Sequence, residues 1–136
     1  MSLLEEKDAI RDLYGKYALF YDSGRYDDFM TLFAEDAVLD STEIGGSLTI
    51  GKEAIRESLG SADNPDKTEF HCRHFLLNYS ITVEEDLASA HTYYLFMVPD
   101  NNDEPAIGGI GQYDDIFIKT GGQWFFKHHR LLRAFR

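Results

Sequence analysis

The apolar residues of this chain change their spacing once, and that change constrains the fold more than any other feature. Up to about residue 60 they recur at helical intervals, whereas from about residue 70 they alternate. Ser2 and Glu5 have capping-box spacing, and behind them Ile10, Leu13, Tyr14, Tyr17 and Tyr21 fall at i, i+3, i+4, i+7 and i+11. This predicts a helix over residues 3–22 with three tyrosines on its buried stripe. Ser23, Gly24 and Arg25 interrupt the pattern. Tyr26, Asp27 and Asp28 then open a second helix, with Phe29, Leu32 and Phe33 on its apolar face and its end expected near Ala34. Ala37 to Asp40 reads as a short strand, and Gly51 to Gly60 as a third helix ending at the glycine.

Beyond a loop from Ser61 to Lys67, the segments His71 to Val83, Ala88 to Val98, Ile107 to Lys119 and Gln123 to Phe135 are rich in β-branched and aromatic residues. Turn-forming clusters at Glu84 to Asp86, Pro99 to Pro105 and Thr120 to Gly122 separate them, so they form four strands of an antiparallel meander. Helices first and strands afterwards specify an α+β domain with the helices packed on one face of the sheet. With 136 residues and no linker or repeat, the whole of 1–136 is one domain. Gly108, Gly109 and Gly111 inside the third long strand should bend it, because glycine within a strand marks a bulge or sharp curvature. A bent sheet closed by a long helix encloses a pocket.

Charge and cysteine content remove several classes of function. A net charge of −11 opposes phosphate backbones and anionic membranes, which argues against nucleic acid as a partner. The only local excess of base is the tail, where Lys127, Arg130, Arg133 and Arg136 meet no acid. No apolar run reaches the ~20 residues of a membrane span, and Met1 to Asp8 lacks the basic and apolar regions of a secretory signal. The single cysteine, Cys72, excludes an intramolecular disulfide and fits a cytoplasmic location. Metal binding is not expected: His71 and His74 should point to opposite faces of their strand, and so should His128 and His129. Cys72 has only Arg73 as a basic neighbour, on the opposite strand face, so it is not expected to act as a nucleophile.

Acid–base chemistry among Asp, His and Tyr remains. Asp22 closes the first helix at the edge of the tyrosine stripe, where only a turning helix end would aim it inward. Otherwise it is a solvated carboxylate. His74 shares a strand face with Cys72, Leu76 and Asn78. It is either a satisfied core histidine or, beside Asp22, a general base with a fixed tautomer. Asp40 ends an apolar strand, and of Asp114 and Asp115 one must face the helix-covered side.

Tyr21 to Gly24, Leu32 to Ala37, Gly51 to Ile55 and Arg73 to Phe75, followed by Gly111 to Asp115, Gly122 to Trp124 and Arg130, resemble the SnoaL-like branch of the nuclear-transport-factor-2-like superfamily over nearly the whole chain. The resemblance implies a cone-shaped fold with a strongly curved antiparallel sheet around the helices, a deep apolar pocket, and homodimers or higher homo-oligomers formed through the sheet. It also implies two competing active sites. In the scytalone dehydratase pattern, Asp22 orients His74, which removes a proton α to a carbonyl while tyrosines polarise that carbonyl. This describes a cofactor-independent lyase acting on a small apolar cyclic or aromatic molecule, with Tyr14, Tyr21, Asn78, Tyr94 and Arg130 as pocket contacts. In the ketosteroid isomerase pattern, Asp40 shuttles the proton, and Tyr17 with a neutral Asp115 (or Asp114, after a one-residue slip) donates to the oxyanion. Polyketide cyclisation follows similar logic, and a non-catalytic ligand-binding or assembly module is the reading from another class.

Overall fold

The computed structural model describes residues 1–60 and 72–135. The loop expected over Ser61 to Lys67, and His71 with its bearing on metal binding, lie outside the described residues. Helix α1 runs from Leu3 to Asp22, and Ser2 caps it: its hydroxyl accepts from the Glu5 N–H while the Glu5 carboxylate accepts from the Ser2 N–H. Helix α2 (Tyr26–Met30) and strand β1 (Phe33–Asp40) follow, then a 3-10 turn at Thr42–Ile44, strand β2 (Leu48–Ile50) and helix α3 (Lys52–Leu59). Four long strands complete the chain: β3 (Arg73–Glu84), β4 (Leu87–Pro99), β5 (Pro105–Thr120) and β6 (Gln123–Arg133).

The meander is as the alternation predicts, within two residues at most strand ends. Its surroundings differ in three places. The sheet order is β2-β1-β6-β5-β4-β3, and β1 lies parallel to β6, so the sheet is mixed rather than wholly antiparallel. The connection from β1 to β6 passes through α3 and the meander, long enough for the crossover a parallel pair requires. Helix α2 stops at Met30 instead of near Ala34, because Phe33 already belongs to β1 and the Phe126 N–H donates to the Leu32 carbonyl. Strand β2 was not expected; it pairs antiparallel with β1 from Leu48 to Ile50.

Ile10, Tyr14 and Tyr17 of α1 pack on the inner face of the sheet against Phe117, Phe126 and Tyr113. Four register shifts bend that sheet: between Leu77 and Ser80 in β3, between Phe96 and Met97 in β4, between Ile116 and Phe117 in β5, and between Phe33 and Val38 in β1. At the second, Phe96 pairs with Gly109 and Met97 with Ile107, which leaves Gly108 as the extra residue of a bulge. A Cβ on Gly108 or Gly109 would sit within 2.5 Å of the Phe96 ring, so these glycines give Phe96 its room. Glu6, buried although charged, fastens the start of α1 to the turn end of the β5–β6 hairpin. It accepts from Lys119 Nζ at 2.6 Å and from Trp124 Nε1.

Candidate functional site

Between α1, α2, α3 and the inner sheet lies a cavity of about 240 Å³. Tyr17 and Tyr21 of α1, His74 of β3, Tyr94 of β4, Tyr113 of β5 and His129 of β6 supply its polar groups; Phe29, Phe33, Ile55, Leu59, Phe96 and Leu131 make the rest of its wall largely apolar. Larger depressions, of about 480 and 610 Å³, are more open and lie beside α1 and at the chain end. Among the described residues, this cavity joins apolar enclosure to convergent histidines and tyrosines, the combination expected of a small-molecule site.

Asp22 is the last residue of α1. Past it the helix closes: Ser23 caps it, the Gly24 N–H donates to the Tyr21 carbonyl, and Gly24 adopts φ 72°. This ending holds the carboxylate against the start of β3. One oxygen accepts from the His74 backbone N–H at 2.8 Å and the other lies 2.6 Å from His74 Nδ1. The Cys72 thiol donates to that second oxygen at 3.6 Å. The Asp22 side chain is 8% exposed and that of His74 13%. A carboxylate accepts only, so Nδ1 carries the proton and the Nε2 lone pair is left for the cavity. The His74 ring is fixed by stacking on Phe96 and by an edge contact with Tyr21.

Burial keeps the surrounding tyrosines neutral. It pushes Tyr21 up to about 12 and Tyr17 and Tyr113 further, so all three offer O–H donors near neutral pH. Burial also raises the Cys72 thiol to about 11, with the Asp22 charge adding to the effect. Asp22, Cys72 and His74 are close enough to be ligands of one metal ion, their ligand atoms lying within 4.8 Å of one another. A metal would need the Cys72 thiolate, which this environment disfavours, and would use the two atoms that hold each other in the Asp22–His74 contact.

A second histidine–carboxylate pair lies deeper. Asp115 Oδ1 is 2.6 Å from His129 Nδ1, the Tyr14 hydroxyl donates to Asp115 Oδ2, and His129 Nε2 is 3.0 Å from the Tyr17 hydroxyl. His129 was not singled out from the sequence, and neither was Tyr113. The sequence does place Asp115 on the third long strand and His129 on the fourth, but only the register that pairs them brings them together.

Among the proposed contacts, Tyr17, Tyr21 and Tyr94 line the cavity with His74. Tyr14 does not; it is wholly buried behind the wall among Tyr79, Phe117 and Phe126. Asn78 is exposed at the β3 register shift with φ 59°, because the shift ends the alternation that would have kept it on the His74 face. Arg130 sits between His129 and Leu131, which both line the cavity, and so points to the outer face. Its charge helps lower Asp40, its register partner across the sheet. Asp40 likewise lies between two cavity residues, Leu39 and Ser41. Its carboxylate accepts from the Thr42 hydroxyl at 2.6 Å and the Thr42 N–H at 3.0 Å, and these bonds hold it below the usual carboxylate range. Asp114 is on the outer face with His91 and Gln112, leaving Asp115 as the inward acid. Both Asp115 oxygens are taken by Tyr14 and His129, so Asp115 backs the cavity wall and is not a donor into the cavity.

Residues 2–130 match the family model described as SnoaL-like domain. Among solved structures, an NTF2-like protein with a cystatin-like fold from Novosphingobium aromaticivorans is 23% identical with a TM-score of 0.84, over 96% of this chain and 82% of its own. A protein from the same organism, provisionally described as an aromatic ring hydroxylase, is 26% identical with a TM-score of 0.81, covering 100% of this chain and 94% of that one. A third, provisionally described as a scytalone dehydratase and also from N. aromaticivorans, is 25% identical with a TM-score of 0.78, over 94% and 83%. No curated protein matches the chain.

Proposed function

Because this chain belongs to the family of SnoaL-like domains, we propose that it is a cofactor-independent lyase of the dehydratase type, using Asp22 and His74 on a small apolar cyclic carbonyl compound. The observation that carries this reading is the 2.6 Å contact of His74 Nδ1 with Asp22 at the wall of an apolar cavity. In this reading His74 Nε2 takes the proton α to the carbonyl, and Asp22 balances the imidazolium that forms. Tyr21 and Tyr94, neutral and facing the cavity, donate to the carbonyl oxygen as it gains charge. The leaving group departs from the β carbon. At about 240 Å³ the cavity falls just below the ~300–1,000 Å³ of ordinary ligand sites, which supports a compact one- or two-ring substrate. The neighbour described as a scytalone dehydratase agrees with this chemistry. The isomerase pattern has less support, since Asp40 turns away from the cavity.

The outer sheet face exposes Phe75, Leu77, Tyr93, Ile110 and Ile116, which supports self-association of two copies through the sheet. No helix among the described residues is long and apolar enough to cross a membrane.

The test is elimination from a β-hydroxytetralone, followed by the absorbance of the conjugated product. Wild type should turn over, and His74→Ala should lose at least ~100-fold with folding intact, as removal of a general base requires. Tight binding of the ketone without turnover would replace the lyase with a binding module.

A further inference from the structure

We propose that Asp115, His129 and Tyr17 form a second proton relay, in which His129 sets the direction of the Tyr17 hydroxyl so that Tyr17 protonates the departing oxygen. The proposal rests on the lyase reading of the same cavity and adds the acid to its base. Tyr17 and His74 both line the cavity, with their rings in edge contact at 6.3 Å, so a ligand there meets both.

A carboxylate with no exposure beside a histidine that is 1% exposed is an uncommon core element. Apolar residues of equal volume generally serve stability at least as well. What distinguishes this pair is where it ends. Tyr14 occupies one Asp115 oxygen and His129 Nδ1 the other, so the carboxylate is fully committed and Nδ1 must carry a proton. The only variable is Nε2, 3.0 Å from the Tyr17 oxygen. When Nε2 is bare it accepts the Tyr17 O–H, turning that proton away from the cavity. When Nε2 is protonated it donates to the Tyr17 oxygen, and with Tyr113 also bonded to that oxygen, the Tyr17 O–H is released toward the ligand. The doubly protonated ring also balances the Asp115 charge.

The step then closes. The α C–H bond breaks, its proton goes to His74 Nε2, and its electron pair becomes the new C=C. The C–O bond breaks with its pair on oxygen, which takes the Tyr17 proton and leaves as water. Tyr17 takes the Nε2 proton of His129. His74 ends protonated and His129 neutral, and exchange with solvent restores both. Asp115 and His129 are positioning residues here, acting through Tyr17.

Two reactions separate the base from the acid. Elimination from a β-hydroxytetralone needs both, whereas α-proton exchange of an unsubstituted tetralone in deuterated water needs only His74. Tyr17→Phe and His129→Gln should each lower kcat for elimination by about 100-fold with KM little changed, while exchange stays within about threefold. The double variant should be no slower than the worse single one, as expected for one relay. His74→Ala should lose both reactions. If His129→Gln does not fold, Tyr17→Phe, which removes one oxygen, carries the same split. Elimination at the wild-type rate in either folded variant overturns the relay and leaves the lyase reading standing. Exchange that survives in His74→Ala overturns the lyase reading itself. Equal loss of both reactions in Tyr17→Phe overturns the relay as well, because it would make Tyr17 a carbonyl donor.

Discussion

Replacing Asp22 by Asn changes one atom, and its consequence can be worked out from the two bonds that Asp22 makes to His74. One carboxylate oxygen accepts from the backbone N–H of His74 at 2.8 Å, and a backbone N–H has no alternative role. In the variant the amide oxygen must therefore take that bond, which turns the NH2 toward His74 Nδ1. Nδ1 can then only accept, so the ring proton moves to Nε2 and the base facing the cavity is lost. Without a lone pair at Nε2, proton abstraction should fall by ~100- to 10,000-fold, the usual contribution of a positioned general base. The stability loss should be smaller, because a charged acceptor becomes a neutral one and only the weak Cys72 S–H donor loses its partner, about 1–2 kcal/mol. That corresponds to a melting temperature lower by roughly 3–8 °C for a domain of this size. The assays are α-proton exchange of a tetralone, nitrogen-15 spectra of the histidine rings, and thermal unfolding. An Asp22→Asn protein that exchanges at the wild-type rate, or whose His74 ring keeps its proton on Nδ1, would refute this reasoning.

Gly111→Ala should narrow the cavity from the sheet side. The new Cβ would lie 2.4 Å from Tyr94 Cε1, and Tyr94 is already stacked on Tyr113 at 4.6 Å, so the Tyr94 ring moves into the cavity. Overpacking of this kind costs about 1–3 kcal/mol, and both the melting temperature and the affinity for a bicyclic ketone should fall. Glu6 predicts a pH dependence of stability. Its bonds from Lys119 and Trp124 hold the carboxyl below its ordinary value of 4.5, so the stabilisation is present above that pH and is lost as pH falls through the lower folded value. The melting temperatures of wild type and Glu6→Gln should differ at pH 7 and converge below pH 4.5; a constant gap would contradict the assignment.

Where a structural choice is local, the sequence shows it. The capping box, the tyrosine stripe and the glycine turns place α1 and the four long strands, because each depends on residues within one or two turns of the chain. Apolar spacing is ambiguous over a few residues, which is why Leu32 and Phe33 fit a helix face although Phe33 starts a strand. The site divides in the same way. Tyr21 to Ser23 and Arg73 to Phe75 stand out as short motifs on separate elements, and the helix ending at Gly24 brings Asp22 to His74. Strict alternation misplaces Asn78, because the β3 register shift is not encoded by any glycine or proline at that point. Asp115 and His129 meet only through the pairing of β5 with β6, a long-range register that no local pattern reveals. Strand alternation alone, once β1 and β6 are paired, explains why Asp40 and Arg130 turn outward together.

The central claim is that His74 is the base. Its most direct test is α-proton exchange of a tetralone in deuterated water, followed by proton NMR with wild type and His74→Ala at equal concentration. The account predicts enzyme-dependent exchange that His74→Ala slows by at least ~100-fold while still binding the ketone. Exchange by His74→Ala at the wild-type rate would contradict it.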